Sequence, residues 1–370
     1  VAWLLENNFV VAANTKTVLL VREVALAMRG TDIVDFRTFG YMDLETRRPL
    51  RSDAIFRMYS NTKIVTSVAL MMLYEEGRFG LDDPLSGVLP AFRDMRVLRA
   101  EARSVNDVEP ARSPITLRQI LSHSAGLSYG FIEPQSVVDQ AYLAAGLNPM
   151  TADGMTLASL CDGLAQLPLA YHPGTNWRYS LATDVAARVV EVLSGQRFDD
   201  FLKTRILGPL GMVDTDFHVP VEKQDRFVTQ YAPVDIFTPM KGGLVKADDP
   251  RTGAYSQPKS FLSGGGGLVS TVSDYLTFLK AIVNGGSWEG VRILRDETLA
   301  LMRSNQLAPG IGVRFPMWEM SSTVFGLGFA LCFIQLGPIH LRLLLPTILL
   351  KLLRYFFELP DLLCCKVHFF

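Results

Sequence analysis

The chain has 370 residues, of which 49% are hydrophobic and 20% charged, and its formal net charge is -1. This length suits about two domains with a sizeable buried core, and the scattered, balanced charges exclude a protein that follows a nucleic-acid backbone. The five histidines lie far apart and the four cysteines have neither zinc-knuckle nor disulfide-framework spacing, so the sequence predicts no metal site. It predicts no organic cofactor either, because the glycine run at residues 264–267 is not followed by Gly-Lys-Ser or Gly-Lys-Thr.

The first part of the chain reads as strands leading into a helix. Short apolar runs predict strands at residues 18–21, 33–36 and 55–58. From Ser60 onwards apolar residues recur at helical spacing, and this pattern predicts a helix that ends near Gly77. The sequence therefore places Ser60 at a strand-to-helix junction.

The rest of the chain alternates helical segments with glycine and proline punctuation. Helices are predicted at residues 116–121, 156–166, 181–193 and 271–283. The predicted domains are an α/β domain formed by residues 1–84 and 251–330, a mainly helical domain of residues 85–250, and an atypical hydrophobic tail of residues 331–370.

The two ends of the chain carry the sequence features that bear on cellular location. No cationic segment with an apolar run and a cleavage site is visible near Val1, which favours a cytoplasmic location. Residues 321–341 carry no charge, but glycines and a proline interrupt them, so a membrane-spanning helix is not favoured. Residues 343–357 fit an amphipathic helix on a membrane surface, although a non-native tail is the simpler interpretation.

Ser60 and Lys63 form a Ser-x-x-Lys pattern at the junction. Positions i and i+3 share one face of a helix, so the Lys63 amine is expected beside the Ser60 hydroxyl. A helix N-terminus stabilises developing negative charge, and desolvation helps a lysine lose its proton and act as a base. The pair therefore predicts a nucleophilic serine that forms an acyl-enzyme.

Several further blocks accompany this pattern in order. They lie at residues 39–41, 60–84, 120–127, 172–180, 207–212 and 265–271. With these blocks the chain resembles the serine β-lactamase and penicillin-binding-protein superfamily, in the branch of class C β-lactamases and family VIII esterases. The resemblance implies an α/β (α+β) fold, in which an antiparallel sheet flanked by helices carries an inserted, mainly helical domain.

The resemblance also implies the remaining site residues. Tyr179 matches the family tyrosine that shares proton transfer with the lysine. Leu181 replaces the asparagine that contacts the amide side chain of β-lactams in class C enzymes, which favours an ester substrate. The expected small-molecule substrate is thus a carboxylic ester or a β-lactam-like amide. The family's third element, a Lys-Thr-Gly, His-Thr-Gly or Trp-Gly-Gly triplet that helps to form the oxyanion hole, is missing after residues 325–329.

Two alternatives remain open. Residues 126–130 fit the Gly-x-Ser-x-Gly elbow of α/β-hydrolases, which would make Ser128 the nucleophile and His123 a candidate base, although a turn serine and a structural histidine are the simpler interpretations. The missing triplet is also consistent with an inactive relative or a truncated gene product. Ser273 and Asp274 echo the Ser-Asp-Asn triplet of class A β-lactamases, but capping of a helix N-terminus explains them.

Overall fold

The computed structural model describes residues 22–29, 32–148, 154–234, 242–314 and 323–332. The strand predicted at residues 18–21 lies outside these residues. So do residues 333–370, which make up nearly all of the predicted tail and include the predicted surface helix.

The described strands pair in short antiparallel ladders. The strands are β1 Arg22–Arg29, β2 Asp32–Asp43, β3 Arg48–Pro49, β4 Ile55–Arg57, β5 Arg96–Leu98, β6 Val108–Pro110, β7 Gln230–Pro233, β8 Leu244–Asp248, β9 Val269–Thr271, β10 Ser287–Trp288, β11 Val291–Arg292, β12 Thr323–Phe325 and β13 Ala330–Cys332. Strands β1, β2 and β3 form one meander, and the other ladders are the pairs β4–β9, β5–β6, β7–β8, β10–β11 and β12–β13.

Five of the eight α-helices in the described residues match predicted helices, and α3, α6 and α8 were not predicted. They are α1 Thr62–Glu75, α2 Leu117–Leu121, α3 Val137–Ala144, α4 Leu157–Ala165, α5 Ala182–Ser194, α6 Phe198–Leu202, α7 Val272–Val283 and α8 Asp296–Met302. The Thr116 side chain caps α2 in a capping box with Gln119, and α5 ends at Gly195, whose φ of 70° suits a residue without a Cβ. These capping signals explain why the predicted ends at both helices are correct within a residue.

Strand β4 and strand β9 join parts of the chain that are far apart in sequence. Ile55 pairs with Thr271 and Arg57 with Val269. Helix α1 starts five residues after β4 ends, is buried over most of its length and packs against α5. The predicted fold class is therefore confirmed: antiparallel strands from distant parts of the chain lie beside helices, and α1 carries the Ser-x-x-Lys pattern into the core.

One local prediction needs correction. Helix α7 is capped by the Thr271 side chain, which accepts a hydrogen bond from the Asp274 N–H, so Ser273 and Asp274 occupy the first turn without providing the cap. The segment 85–250 also contains the β5–β6 and β7–β8 pairs in addition to its helices. Their strands have three to five residues, too short for periodicity to identify.

No helix in the described ranges is both long enough and apolar enough to cross a membrane.

Candidate active site

Ser60 lies in a tight turn between β4 and α1. Residues Tyr59–Asn61 form a 3₁₀ turn. Ser60 therefore precedes Thr62, the first residue of α1, whereas the sequence predicts Ser60 at the start of that helix. Tyr59 has a φ of 41°, a left-handed conformation that is unusual for a large side chain and is found most often where function requires it. The turn leaves Ser60 half-buried, so it is not sealed inside the core.

Lys63 lies directly beside this hydroxyl, as the i and i+3 spacing predicts. Its Nζ is 3.4 Å from Ser60 Oγ and donates to the Gly265 carbonyl at 2.5 Å. The side chain is only 6% exposed, and its Nζ also lies 4.6 Å from the centroid of the Tyr179 ring. The amine is thus held between the nucleophile candidate, a carbonyl and an aromatic face.

Tyr179 completes the trio that the sequence predicts. Its hydroxyl donates to Ser60 Oγ at 2.6 Å, across 119 positions of sequence. Two backbone hydrogen bonds hold its segment in place: the Arg178 N–H donates to the His123 carbonyl, and the Leu181 N–H donates to the Ser128 carbonyl. The structure therefore brings together all three predicted site residues, Ser60, Lys63 and Tyr179.

Two further side chains at the site were not predicted. The Tyr129 hydroxyl is 3.3 Å from Lys63 Nζ, and its ring stacks on that of Tyr179 with centroids 5.4 Å apart. Asp184, in the first turn of α5, accepts hydrogen bonds from the Ser263 hydroxyl and the Gly265 N–H. Tyr129 falls within the elbow-like sequence and Asp184 falls five residues after Tyr179, but neither spacing carries a signal without the fold.

His123 is a neutral structural residue beside the site. It is buried, and burial together with the nearby Lys63 charge lowers its pKa to about 3. Its Nδ1 shares a hydrogen bond of 3.0 Å with the Ser180 hydroxyl, and its ring packs edge-on against Phe325. An imidazole with this environment orients the loop around Tyr179 and is poorly suited to accept a proton at neutral pH.

Ser128 does not have the surroundings of a hydrolase elbow. Its hydroxyl is fully buried, donates to Asp139 and accepts from Arg178 Nε at 2.7 Å. No strand precedes it and no helix follows it directly, since α2 ends at Leu121 and α3 begins at Val137. In this environment Ser128 acts as a buried hydrogen-bonding residue of the loop that carries Tyr129.

The β12–β13 hairpin borders the same region. Phe325 packs against His123 and Trp177, and the Gly328 N–H donates to the Leu121 carbonyl. A Cβ on Gly328 would meet the Ser67 hydroxyl of α1 at 2.3 Å, so only glycine fits there. The hairpin therefore borders the site, while the chain after Cys332, in which the family triplet is missing, falls outside the described part of the chain.

In the described ranges, no three His, Cys, Asp or Glu side chains lie close enough together to hold a metal ion.

Comparisons with known proteins identify the family of this chain. The protein-family profile described as "Beta-lactamase" matches residues 23–332. Esterase EstB of Burkholderia gladioli is 33% identical over 311 residues, which cover 81% of this chain and 74% of that protein. Protein Rv1367c of Mycobacterium tuberculosis is 33% identical over 291 residues, covering 78% of this chain and 69% of that protein.

A solved structure shows the same architecture. The structure described as "EstCE1, a hydrolase with promiscuous acyltransferase activity" superposes with a TM-score of 0.68 at 28% identity, covering 84% of this chain and 77% of that one. The resemblance inferred from the Ser60 block and its companions is thereby confirmed, and this chain belongs to the β-lactamase family.

Proposed function

We propose that this protein is a serine hydrolase that cleaves carboxylic esters of small molecules through an acyl-enzyme on Ser60. The observation that carries the proposal is the contact of one half-buried hydroxyl, Ser60 Oγ, with both the Tyr179 hydroxyl at 2.6 Å and the Lys63 amine at 3.4 Å. A serine hydroxyl is a weak nucleophile until an adjacent group accepts its proton, and this arrangement supplies two such groups. The relative named as an esterase, EstB, and the structure described as a hydrolase, EstCE1, support the same reaction class.

The reaction proceeds in two balanced steps. Ser60 Oγ attacks the ester carbonyl, its proton passes to the Tyr179 and Lys63 pair, and the pair returns a proton to the departing alcohol. Water then attacks the acyl carbon, gives a proton to the same pair, and the pair reprotonates Ser60 as the carboxylic acid leaves. The Ser60 N–H is one expected donor to the carbonyl oxygen in both steps.

An ester substrate is preferred to a β-lactam for a reason at position 181. Leu181 is fully buried and packs in the main hydrophobic core, so no amide side chain is offered there to a β-lactam substrate. An ester requires no such contact, and its alcohol is a better leaving group than an amine.

The test is covalent labelling of the full chain followed by site mapping. We expect p-nitrophenyl butyrate to be hydrolysed faster than the chromogenic cephalosporin nitrocefin, and a fluorophosphonate to modify one residue per molecule, in the peptide that contains Ser60. The rate of ester hydrolysis should fall in proportion to the fraction of molecules that carry the label. A chain that neither turns over esters nor takes up the label would support an inactive relative, and modification of the Ser128 peptide would support the elbow alternative.

Replacing Tyr179 with phenylalanine is expected to lower kcat for ester hydrolysis about 100-fold, within the usual contribution of a positioned acid or base. The substitution removes only the hydroxyl that contacts Ser60, while the ring can keep its stacking on Tyr129. Steady-state kinetics and thermal unfolding of the variant measure the two effects separately. Tyr231→Phe is the matched control, since it removes a tyrosine hydroxyl that contacts Asp43 and the Leu44 N–H. A Tyr179→Phe enzyme as active as this control would remove Tyr179 from the mechanism.

A further inference from the structure

A buried carboxylate lies behind the candidate site. Asp184 is fully buried in the first turn of α5, and its Oδ1 accepts hydrogen bonds from the Ser263 hydroxyl at 2.6 Å and from the Gly265 N–H at 3.0 Å. Its Oδ2 is also buried and has no hydrogen-bond partner within the described part of the chain. A buried carboxylate is expensive unless a nearby positive charge or several donors compensate for it, so its presence here calls for a compensating group.

The peptide of Gly265 connects this carboxylate to Lys63. Its N–H donates to Asp184, and its carbonyl accepts from Lys63 Nζ at 2.5 Å. A Cβ at this position would lie 2.6 Å from Asp184 Oδ2 and 3.0 Å from the Tyr129 hydroxyl, so only glycine fits between them. The Thr66 hydroxyl of α1 holds the preceding Gly264 carbonyl at 2.7 Å. The loop is thus fixed between α1 and α5, with the Lys63 amine on one side of a single peptide and the Asp184 carboxylate on the other.

The charges around the pair leave Lys63 as the compensating cation. Among the described residues, the other titratable groups that face Asp184 or Lys63 are His123, Tyr129, Cys161 and Tyr179; Tyr129 in turn faces Tyr255, and Cys161 faces Arg188. Burial raises the pKa of Tyr129 and of Cys161 and lowers that of His123, which keeps these three groups neutral, and Arg188 pairs with Glu191 at 2.8 Å. Burial also raises the pKa of Asp184. The Ser263 hydroxyl, the Lys63 charge and the Gly265 N–H act in the opposite direction and lower that pKa.

We propose that Asp184 is a positioning residue for Lys63: its carboxylate fixes the Gly265 peptide that receives the amine, and its negative charge favours the charged form of that amine. Only the kinetic consequence of this inference rests on the proposed hydrolase function. The effect of Asp184 on the Lys63 amine does not depend on that function. Asp184 contacts neither Ser60 nor the space in front of it. It acts by fixing where the Lys63 amine lies and by placing a negative charge near that amine.

The test follows the titration of Lys63 directly. In protein labelled with ¹³Cε-lysine, with the Lys63 signal assigned from a Lys63→Arg sample, Asp184→Asn is expected to move the midpoint of the Lys63 titration to lower pH by roughly one unit, because a nearby negative charge is removed. The limb of the kcat against pH profile that belongs to Lys63 should move in the same direction. A purely structural role would lower kcat without moving either midpoint.

The control and the milder variant complete the design. Asp274 is another buried aspartate in the first turn of a helix, hydrogen-bonded to Thr215 and the Asp214 N–H, and burial raises its pKa as well. Asp274→Asn should cost stability and leave the Lys63 midpoint unchanged. If Asp184→Asn fails to fold, Ser263→Ala removes one donor to the same carboxylate and should move the Lys63 midpoint downwards by a smaller amount.

The outcomes separate the two proposals. A wild-type chain that shows the Lys63 shift on substitution but takes up no acyl label contradicts the hydrolase function and leaves the Asp184 assignment standing. A labelled, active wild type whose folded Asp184→Asn or Ser263→Ala variant titrates like Asp274→Asn overturns the Asp184 assignment alone.

Discussion

Replacing Ser60 with alanine is expected to lower kcat for ester hydrolysis by at least about 10,000-fold, as loss of a nucleophile does in other serine hydrolases. The substitution removes the oxygen that contacts both Tyr179 and Lys63, and no covalent intermediate can form without it. Initial rates with p-nitrophenyl esters and active-site titration with a fluorophosphonate measure the loss. Turnover within tenfold of the wild type would show that another group attacks the ester.

The matched control for this variant is Ser128→Ala. Ser128 is more deeply buried than Ser60 and lies between Asp139 and Arg178. Its removal takes one hydrogen bond from Asp139 and one from Arg178 Nε in a buried network, at a cost of about 1–3 kcal/mol in the free energy of unfolding. We expect urea denaturation to show this loss, while kcat stays within about twofold of the wild type because the Ser60, Lys63 and Tyr179 contacts do not involve the Ser128 hydroxyl.

Replacing Lys63 with methionine is expected to slow acylation by about 1,000- to 10,000-fold, at the upper end of the range for a positioned acid or base. Methionine fills a similar volume but supplies neither a proton acceptor nor a positive charge next to the Tyr179 ring. It also leaves the Gly265 carbonyl without its donor and Asp184 without its nearby cation. The rate of fluorophosphonate labelling under pseudo-first-order conditions isolates this step from deacylation.

A lysine outside the site controls for the loss of one charge. Lys280 lies on α7, with its Nζ 4.7 Å from the centroid of the Trp288 ring, and Lys280→Met should leave the labelling rate unchanged. Because Ser60 and Lys63 act as one unit, the double variant Ser60→Ala, Lys63→Met should be no slower than Ser60→Ala alone. Additive losses would indicate that the two side chains contribute independently, which contradicts the shared proton transfer.

Within the site, contacts between residues close together in the sequence could be predicted from local patterns, and contacts between distant residues could not. The Ser60 and Lys63 pair needed only the i and i+3 geometry of a helix, and the prediction that they adjoin agrees with the 3.4 Å separation. The backbone conformation around Ser60 could not be predicted from the sequence, because the left-handed Tyr59 and the 3₁₀ turn depend on how β4 meets α1. Tyr179 was assigned from the resemblance, since nothing in its neighbourhood of the sequence indicates a partner 119 positions earlier.

The sequence by itself determined five of the eight described α-helices, through apolar periodicity and capping residues such as Thr116 and Gly195, and it identified the Ser-x-x-Lys pattern with its family. Only the tertiary structure decided that Tyr129 adjoins Lys63 and that Asp184 lies behind it. The physical reason is the distance along the chain over which each interaction acts. Capping and helical spacing act within one or two turns of the chain, whereas burial of a carboxylate against the Gly265 peptide arises only once α1, α5 and the glycine loop have packed together.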